Sequence, residues 1–241
     1  MAVAEIRIGT SGWHYKHWVG RFYPERWPAS KMLAYYQERF DTVEINNSFY
    51  RLPVESALKL WRTSTPPDFL FAVKGSRFLT HMKKLKDPEL ALERFFQRVD
   101  LLGPKLGPVL FQLPPHWPPD EARFAAFLEA LPPGNRYAFE FRHPGWNNPE
   151  IERLLRKHNA AVCIFHLAGF QSPLGHTADF TYVRLHGPGG KYQGSYSDTD
   201  LKIWADRLRE WDLKDAWIFF DNDDSGYAPA NAARLRELTG S

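Results

Sequence analysis

The chain has 241 residues, 44% hydrophobic and 24% charged, with a formal net charge of +3. That length buries a substantial core, and so mild a charge does not by itself mark a nucleic-acid binder. A single cysteine, Cys163, excludes an internal disulfide, and no apolar run is long enough to span a bilayer.

Candidate elements follow in order. Ile6–Gly9 reads as a strand running into Thr10-Ser11-Gly12-Trp13, and an aromatic, basic loop follows. Ser30 is placed to cap a helix over residues 31–40. Thr42–Asn46 is the second strand, and a helix over 56–64 ends before Pro66-Pro67. Phe69–Val73 is the third strand. Asp87-Pro88 reads as an N-cap with proline in the first helical position, and Leu92, Phe95, Phe96, Val99 and Leu102 recur at helical spacing. Val109–Gln112 is the fourth strand, followed by a helix over 120–131.

Tyr137–Phe141 is the fifth strand, and Asn148-Pro149 caps a helix to about His158. Ala161–Phe165 is the sixth strand, and residues 167–178 show no helical pattern. The seventh strand, through Tyr182 and Leu185, enters Gly187-Pro188-Gly189-Gly190. Leu201, Trp204, Leu208 and Trp211 space out a helix. Ala216–Phe220 is the eighth strand, with a last helix over 228–238.

Eight strands alternating with helices imply a parallel α/β sheet. At this length the expectation is one domain over 1–241, a (β/α)8 TIM-like barrel irregular around the sixth βα unit; a doubly wound open sheet is the alternative. The single cysteine and the lack of a signal pattern suggest a cytoplasmic protein, with Cys163 a buried, inert thiol.

Barrel sites lie at the C-terminal strand ends. Thr10, Ser11, Glu44, Asn46, Lys74, Arg77, Gln112, Glu140, Arg142, His166, Arg184, His186, Asp221 and Asn222 all fall there, while the opposite ends are mainly small or apolar. Glu44 and Glu140 suit acid/base roles, because two carboxylates in one low-dielectric mouth push each other's pKa apart. His166 and His186 suit proton transfer or ligand orientation. Lys74, Arg142 and Arg184 suit an anion, and Gly187 lets the backbone approach one. No HExxH or CxxC spacing defines a metal ligand set. The bland alternative is a structural ion-pair network, Glu44 and Glu140 answering Arg142 and Arg184. Aromatics in the same loops, Trp13, Trp117 and Trp146 among them, are expected mostly to pack the rim.

Gly9-Thr10-Ser11-Gly12-Trp13, Glu44-Ile45-Asn46-Asn47-Ser48-Phe49-Tyr50, Val73-Lys74-Gly75-Ser76-Arg77 and Thr80-His81 together resemble the YecE-like family, domain of unknown function 72. Phe111-Gln112-Leu113-Pro114-Pro115, Phe139-Glu140-Phe141-Arg142-His143-Pro144, Trp146, Tyr182-Val183-Arg184-Leu185-His186-Gly187 and Phe220-Asp221-Asn222-Asp223 continue the match almost to the C-terminus. The resemblance implies a TIM barrel and leaves the reaction open. Trp13, among the loop aromatics, and His143, beyond the fifth strand, are further ligand-binding candidates. A distant fold likeness to metal-dependent abasic-site endonucleases implies a nucleic-acid role by analogy alone.

The leading expectation is an acid/base lyase, isomerase or hydrolase acting on a small anionic, phosphorylated or sugar-like ligand. Nucleic-acid binding or metal-dependent phosphodiester cleavage is the second expectation. A non-catalytic binding or scaffold barrel is the third. Cofactor and oligomeric state are not legible in the sequence.

Overall fold

The computed structural model describes residues 5–241. Eight parallel strands form one sheet among these residues: β1 (Glu5–Thr10), β2 (Thr42–Ile45), β3 (Leu70–Lys74), β4 (Leu106–Gln112), β5 (Tyr137–Glu140), β6 (Ala161–Leu167), β8 (Phe180–Leu185) and β9 (Asp215–Phe220). The two-residue β7 (Phe170–Gln171) folds back antiparallel onto β6. Helices α1 (Met32–Tyr36), α2 (Glu55–Ser64), α3 (Glu89–Val99), α4 (Glu121–Ala130), α5 (Pro149–Lys157), α6 (Asp198–Glu210) and α7 (Tyr227–Thr239) fill the other crossovers. No helix separates β6 from β8, which is the irregular sixth unit expected from residues 167–178.

The order β1-β9-β8-β6-β5-β4-β3-β2 brings the first and second strands to the two sides of one seam. Only a bridge between Ser11 and Glu44 links them as a ladder, with the Gly12 amide donating to the Glu44 carbonyl at 2.9 Å. A side chain completes the closure. The Tyr36 hydroxyl accepts from the Thr10 amide at 3.0 Å and donates to the Thr42 carbonyl at 3.1 Å. Gly9 makes this close approach possible, because a Cβ there would stand 2.3 Å from the Thr42 carbonyl oxygen.

Strand alternation divides the core. Val43, Ile45, Phe71, Val73, Phe111, Phe139, Val183 and Leu185 belong to the layer beneath the helices. Ala72, Leu110, Ala138, Cys163, Tyr182, Trp217 and Phe219 fill the barrel interior. Each buried phenylalanine contributes about 1.5–3 kcal/mol of hydrophobic stabilisation. Cys163 is buried, and burial first and then Glu140 hold its thiol well above the usual range. That environment disfavours a thiolate.

Caps explain several boundaries. The Asn148 side chain accepts from the amides of Glu150 and Ile151 ahead of Pro149, Asp120 accepts from Arg123, and Ser197 with Asp200 closes a capping box on α6. Two expected caps are absent. Ser30 lies inside a 3-10 turn, Ala29–Lys31, and α1 starts after it. Pro88 itself occupies the N-cap of α3, while Asp87 has φ 41° and turns back to Lys83.

Candidate functional site

The interior alternation ends in charge. Glu44 closes β2, Lys74 closes β3, Glu140 closes β5 and Arg184 sits near the end of β8. Asp221 and His186 stand just beyond β9 and β8. Arg184, Glu44, Glu140 and His186 have no exposed surface, and Asp221 retains 7%. Burying such charges is costly unless each is paired.

Arg184 supplies most of the pairing. Its Nε donates to Glu44 Oε2 at 3.0 Å and its Nη2 to Glu44 Oε1 at 2.8 Å. Nη1 reaches Glu140 Oε2 at 2.9 Å, and Nη2 also reaches Asp221 Oδ2 at 3.1 Å. Two hydroxyls saturate Glu44: Tyr182 on Oε2 and Ser11 on Oε1, each at 2.7 Å. The planar fork of arginine suits this multiple recognition where a lysine would not.

A second tier lies above. Arg142 pairs with Glu140 through Nε, stacks its guanidinium 4.3 Å from the centre of the Phe165 ring, and brings Nη2 to 2.9 Å from His186 Nε2. Arginine only donates, so Nε2 is the acceptor and the ring proton belongs on Nδ1. That atom stands 3.0 Å from Asp221 Oδ2 without an aligned hydrogen bond. Asn222 Oδ1 is a second buried polar atom at this mouth without a partner.

The acids are tuned by these neighbours. Burial alone would raise Glu140, but Arg142 and Arg184 reverse it and hold the carboxyl well below its usual range. Asp221 is likewise lowered: burial opposes, and Arg184, His186 and Lys74 prevail.

Lys74 differs from the other cations of this cluster. It is 7% exposed, and its Nζ lies 4.6 Å from the centre of the Phe49 ring. Among the described residues it makes neither an ion pair nor a side-chain hydrogen bond, since Glu44, Glu140 and Asp221 are turned onto Arg184. Burial first, then Arg184, lowers its pKa to about 8 despite the three acids.

Other expected site residues have local roles. The Thr10 hydroxyl bonds the Gly12 carbonyl at 2.6 Å and belongs to the seam. Trp13 packs edge-on against Trp61 at 4.9 Å in the core. His143 Nδ1 accepts from the Gly145 amide and caps a turn. His166 follows inward-facing Phe165, so alternation sends it away from the cluster, where its Nδ1 meets the Tyr196 hydroxyl at 3.0 Å. Asn222 donates to the Gly194 carbonyl and to Asn231, pinning the loop after β8. In that loop Gly187 has φ 119°, and a Cβ would stand 2.3 Å from the Gln193 carbonyl oxygen. Asn46 and Gln112 are half-buried at their strand ends, and Arg77 is exposed.

The structure adds residues that the strand-end reading did not assign. A π-helical turn, Phe78–Met82, holds His81 edge-on to Phe49 at 5.0 Å. Burial, Lys74 and Arg77 push its pKa down to about 4. The Tyr15 hydroxyl donates to the Ser11 carbonyl at 2.7 Å, beside the acids. Tyr192 meets His186 edge-on at 5.5 Å. Such π-turns recur at functional sites, but their irregular hydrogen bonds leave no sequence period to read. Trp117 and Trp146 pack into the rim, 5.0 Å apart.

An apolar cleft of about 260 Å³ lies between α5, β6 and residues 172–177, and its lining includes Phe165, on whose ring Arg142 stacks. Among the described residues no three His, Cys, Asp or Glu side chains are grouped to hold a metal ion, and no helix is long and apolar enough to cross a membrane.

A parallel eight-stranded barrel with charged residues gathered at its C-terminal mouth is a TIM-like architecture. The chain belongs to the family described as "Protein of unknown function DUF72", which matches residues 7–241. It is similar to the UPF0759 protein YunF of Bacillus subtilis, 27% identical over 97% of this chain and 94% of that one. The UPF0759 protein YecE of Escherichia coli is 31% identical over 140 residues, 58% of this chain and 49% of its own. The crystal structure of a DUF72 family protein from Thermotoga maritima superposes with a TM-score of 0.89 at 28% identity, covering 98% of this chain and 100% of that one. A DUF72 family protein of Enterococcus faecalis, at 16% identity and TM-score 0.80 over 98% of this chain and 96% of its own, shares the fold.

Proposed function

We propose that the barrel mouth binds a small anionic, phosphorylated or sugar-like ligand and acts on it as an acid/base enzyme. The observation that carries this reading is Lys74, a buried cation left without an ion pair while the carboxylates around it are committed to Arg184. Arg184 organises the acids and is itself saturated. Lys74, with the exposed Arg77, meets the anion. Arg142 sets the His186 tautomer, and His186 and Glu140 are the groups this reading assigns to proton transfer. Half-buried Asn46 and Gln112 line the same strand ends.

Thermal stabilisation by a panel of phosphorylated sugars and short organic acids tests the reading. At least one compound is expected to raise the melting temperature of the wild-type protein and to lose most of that effect on Lys74→Met. If no compound in the panel stabilises the wild type, the reading fails.

One observation favours a nucleic-acid reading second. Tyr50 on the loop after β2 is exposed, as are Arg77, Phe78, Lys84 and Lys86 on the segment after β3. Bases stack on such rings and phosphates meet such cations. That reading requires oligonucleotide binding that weakens steeply with salt; no binding at low salt removes it.

A further inference from the structure

We propose that Lys74 is a nucleophile that condenses through Nζ with an aldehyde or ketone carbonyl of the bound anion, giving a protonated imine. This rests on the mouth being a small-anion site and names the class of ligand: a carbonyl-bearing phosphate or carboxylate.

The geometry carries the proposal. A lysine amine that forms an imine is activated by desolvation in an apolar pocket or by a neighbouring cationic group. Lys74 is more than nine-tenths buried, has neither a salt bridge nor a side-chain hydrogen bond among the described residues, and is backed by the Phe49 ring at 4.6 Å. It closes a barrel strand: it pairs with Leu110 of β4, and its carbonyl accepts from the Ser48 hydroxyl at 2.6 Å, so its backbone is held in place. The charged groups facing it come from every side: Arg184 on β8, Glu140 on β5, Glu44 on β2 and Asp221 beyond β9. Arg77 and His81 stand on the loop beyond its own strand. Burial and Arg184 bring its pKa to about 8, so a working fraction is neutral amine near neutral pH.

The chemistry balances without a further reactant. The ammonium first gives up a proton, and the neutral Nζ adds to the carbonyl carbon. The carbonyl π bond opens and its oxygen takes a proton, leaving a carbinolamine. Nitrogen passes on one proton, the hydroxyl takes up another and departs as water, and the nitrogen lone pair forms the C=N bond. In sum, a lysine ammonium and a carbonyl compound yield a protonated imine and one water. Nothing is oxidised or reduced.

The test is reductive trapping on the full chain. The protein is incubated with glyoxylate, pyruvate, dihydroxyacetone phosphate or glyceraldehyde 3-phosphate, each with cyanoborohydride, and digested for peptide mass mapping. With at least one probe the adduct is expected on Lys74 at least tenfold above exposed lysines such as Lys59 and Lys202, with labelling rising between pH 7 and 8. Lys74→Arg should carry no adduct at that position. Labelling spread over exposed lysines, with Lys74 unmodified, overturns the imine. If phosphorylated compounds still stabilise the protein thermally, the anion site stands without it. If neither an adduct nor stabilisation occurs, both fail.

Discussion

Arg184 meets Glu44 side-on, with Nε on one carboxylate oxygen at 3.0 Å and Nη2 on the other at 2.8 Å, across 140 residues of chain and without exposed surface. The contact joins β8, the seventh of the parallel strands, to the second through the barrel interior. The same guanidinium also holds Glu140 and Asp221, so one cation fixes the ends of three further elements. Every acid that Arg184 takes is an acid denied to Lys74. The saturated centre and the unpaired lysine are therefore two sides of one arrangement.

Replacing Arg184 by Met should be severely destabilising. It strands three buried acids, and breaking one buried pair costs about 3–5 kcal/mol. Arg184→Lys should recover little, because an ammonium cannot bridge Glu44, Glu140 and Asp221 together. Denaturant melts of both variants measure this. A Lys variant as stable as wild type would show that charge, and not the fork, holds the mouth.

Acid sensitivity should depend on Glu140. Its folded pKa is depressed, so the folded state binds fewer protons than the unfolded one below about pH 4.3, the unperturbed glutamate value. Its contribution is present above that pH and is lost as pH falls through the folded value. Glu140→Gln should lower stability at pH 7, where Arg142 and Arg184 lose a charged partner, and should show a shallower decline between pH 5 and 3. Parallel urea-midpoint curves for the two proteins would remove Glu140 from the acid limb.

The fold was legible because strands and helices carry different periods, and even the missing sixth helix showed as an absent pattern over 167–178. The site was legible only as a set. Glu44 and Arg184 fell at strand ends, but which acid takes which cation depends on barrel closure, a relation between distant strands that no local period encodes. Trp13 and His166 illustrate the limit. One loop aromatic turns into the core, and one strand-end histidine points outward because Phe165 before it points in. His81 depends on a π-turn. The isolation of Lys74 emerges only once the carboxylates have partners.

Tyr36, which is not among the expected site residues, should be a strong stability determinant. Its hydroxyl links the Thr10 amide to the Thr42 carbonyl at the barrel seam. Tyr36→Phe keeps the ring and strands both backbone groups, at about 1–3 kcal/mol. Amide exchange should accelerate at Thr10 more than at Ile8, further down the same strand. Uniform exchange along β1 would place the closure elsewhere.

Lys74 should work against stability at neutral pH. Its folded pKa of about 8 lies below the unperturbed lysine value of about 10.4, so between these values the unfolded state binds more protons than the folded one. Stability therefore rises with pH across roughly pH 8 to 10, as the cost of burying the charge is removed. Lys74→Met keeps much of the packing against Phe49 and carries no charge. Its stability at pH 7 should equal or exceed that of wild type, while the rise above pH 8 flattens. Denaturant midpoints from pH 6 to 10 for both proteins provide the comparison. A Met variant less stable at pH 7 by more than about 1 kcal/mol would mean that the ammonium supports the three acids, and that Lys74 belongs to the structural network after all.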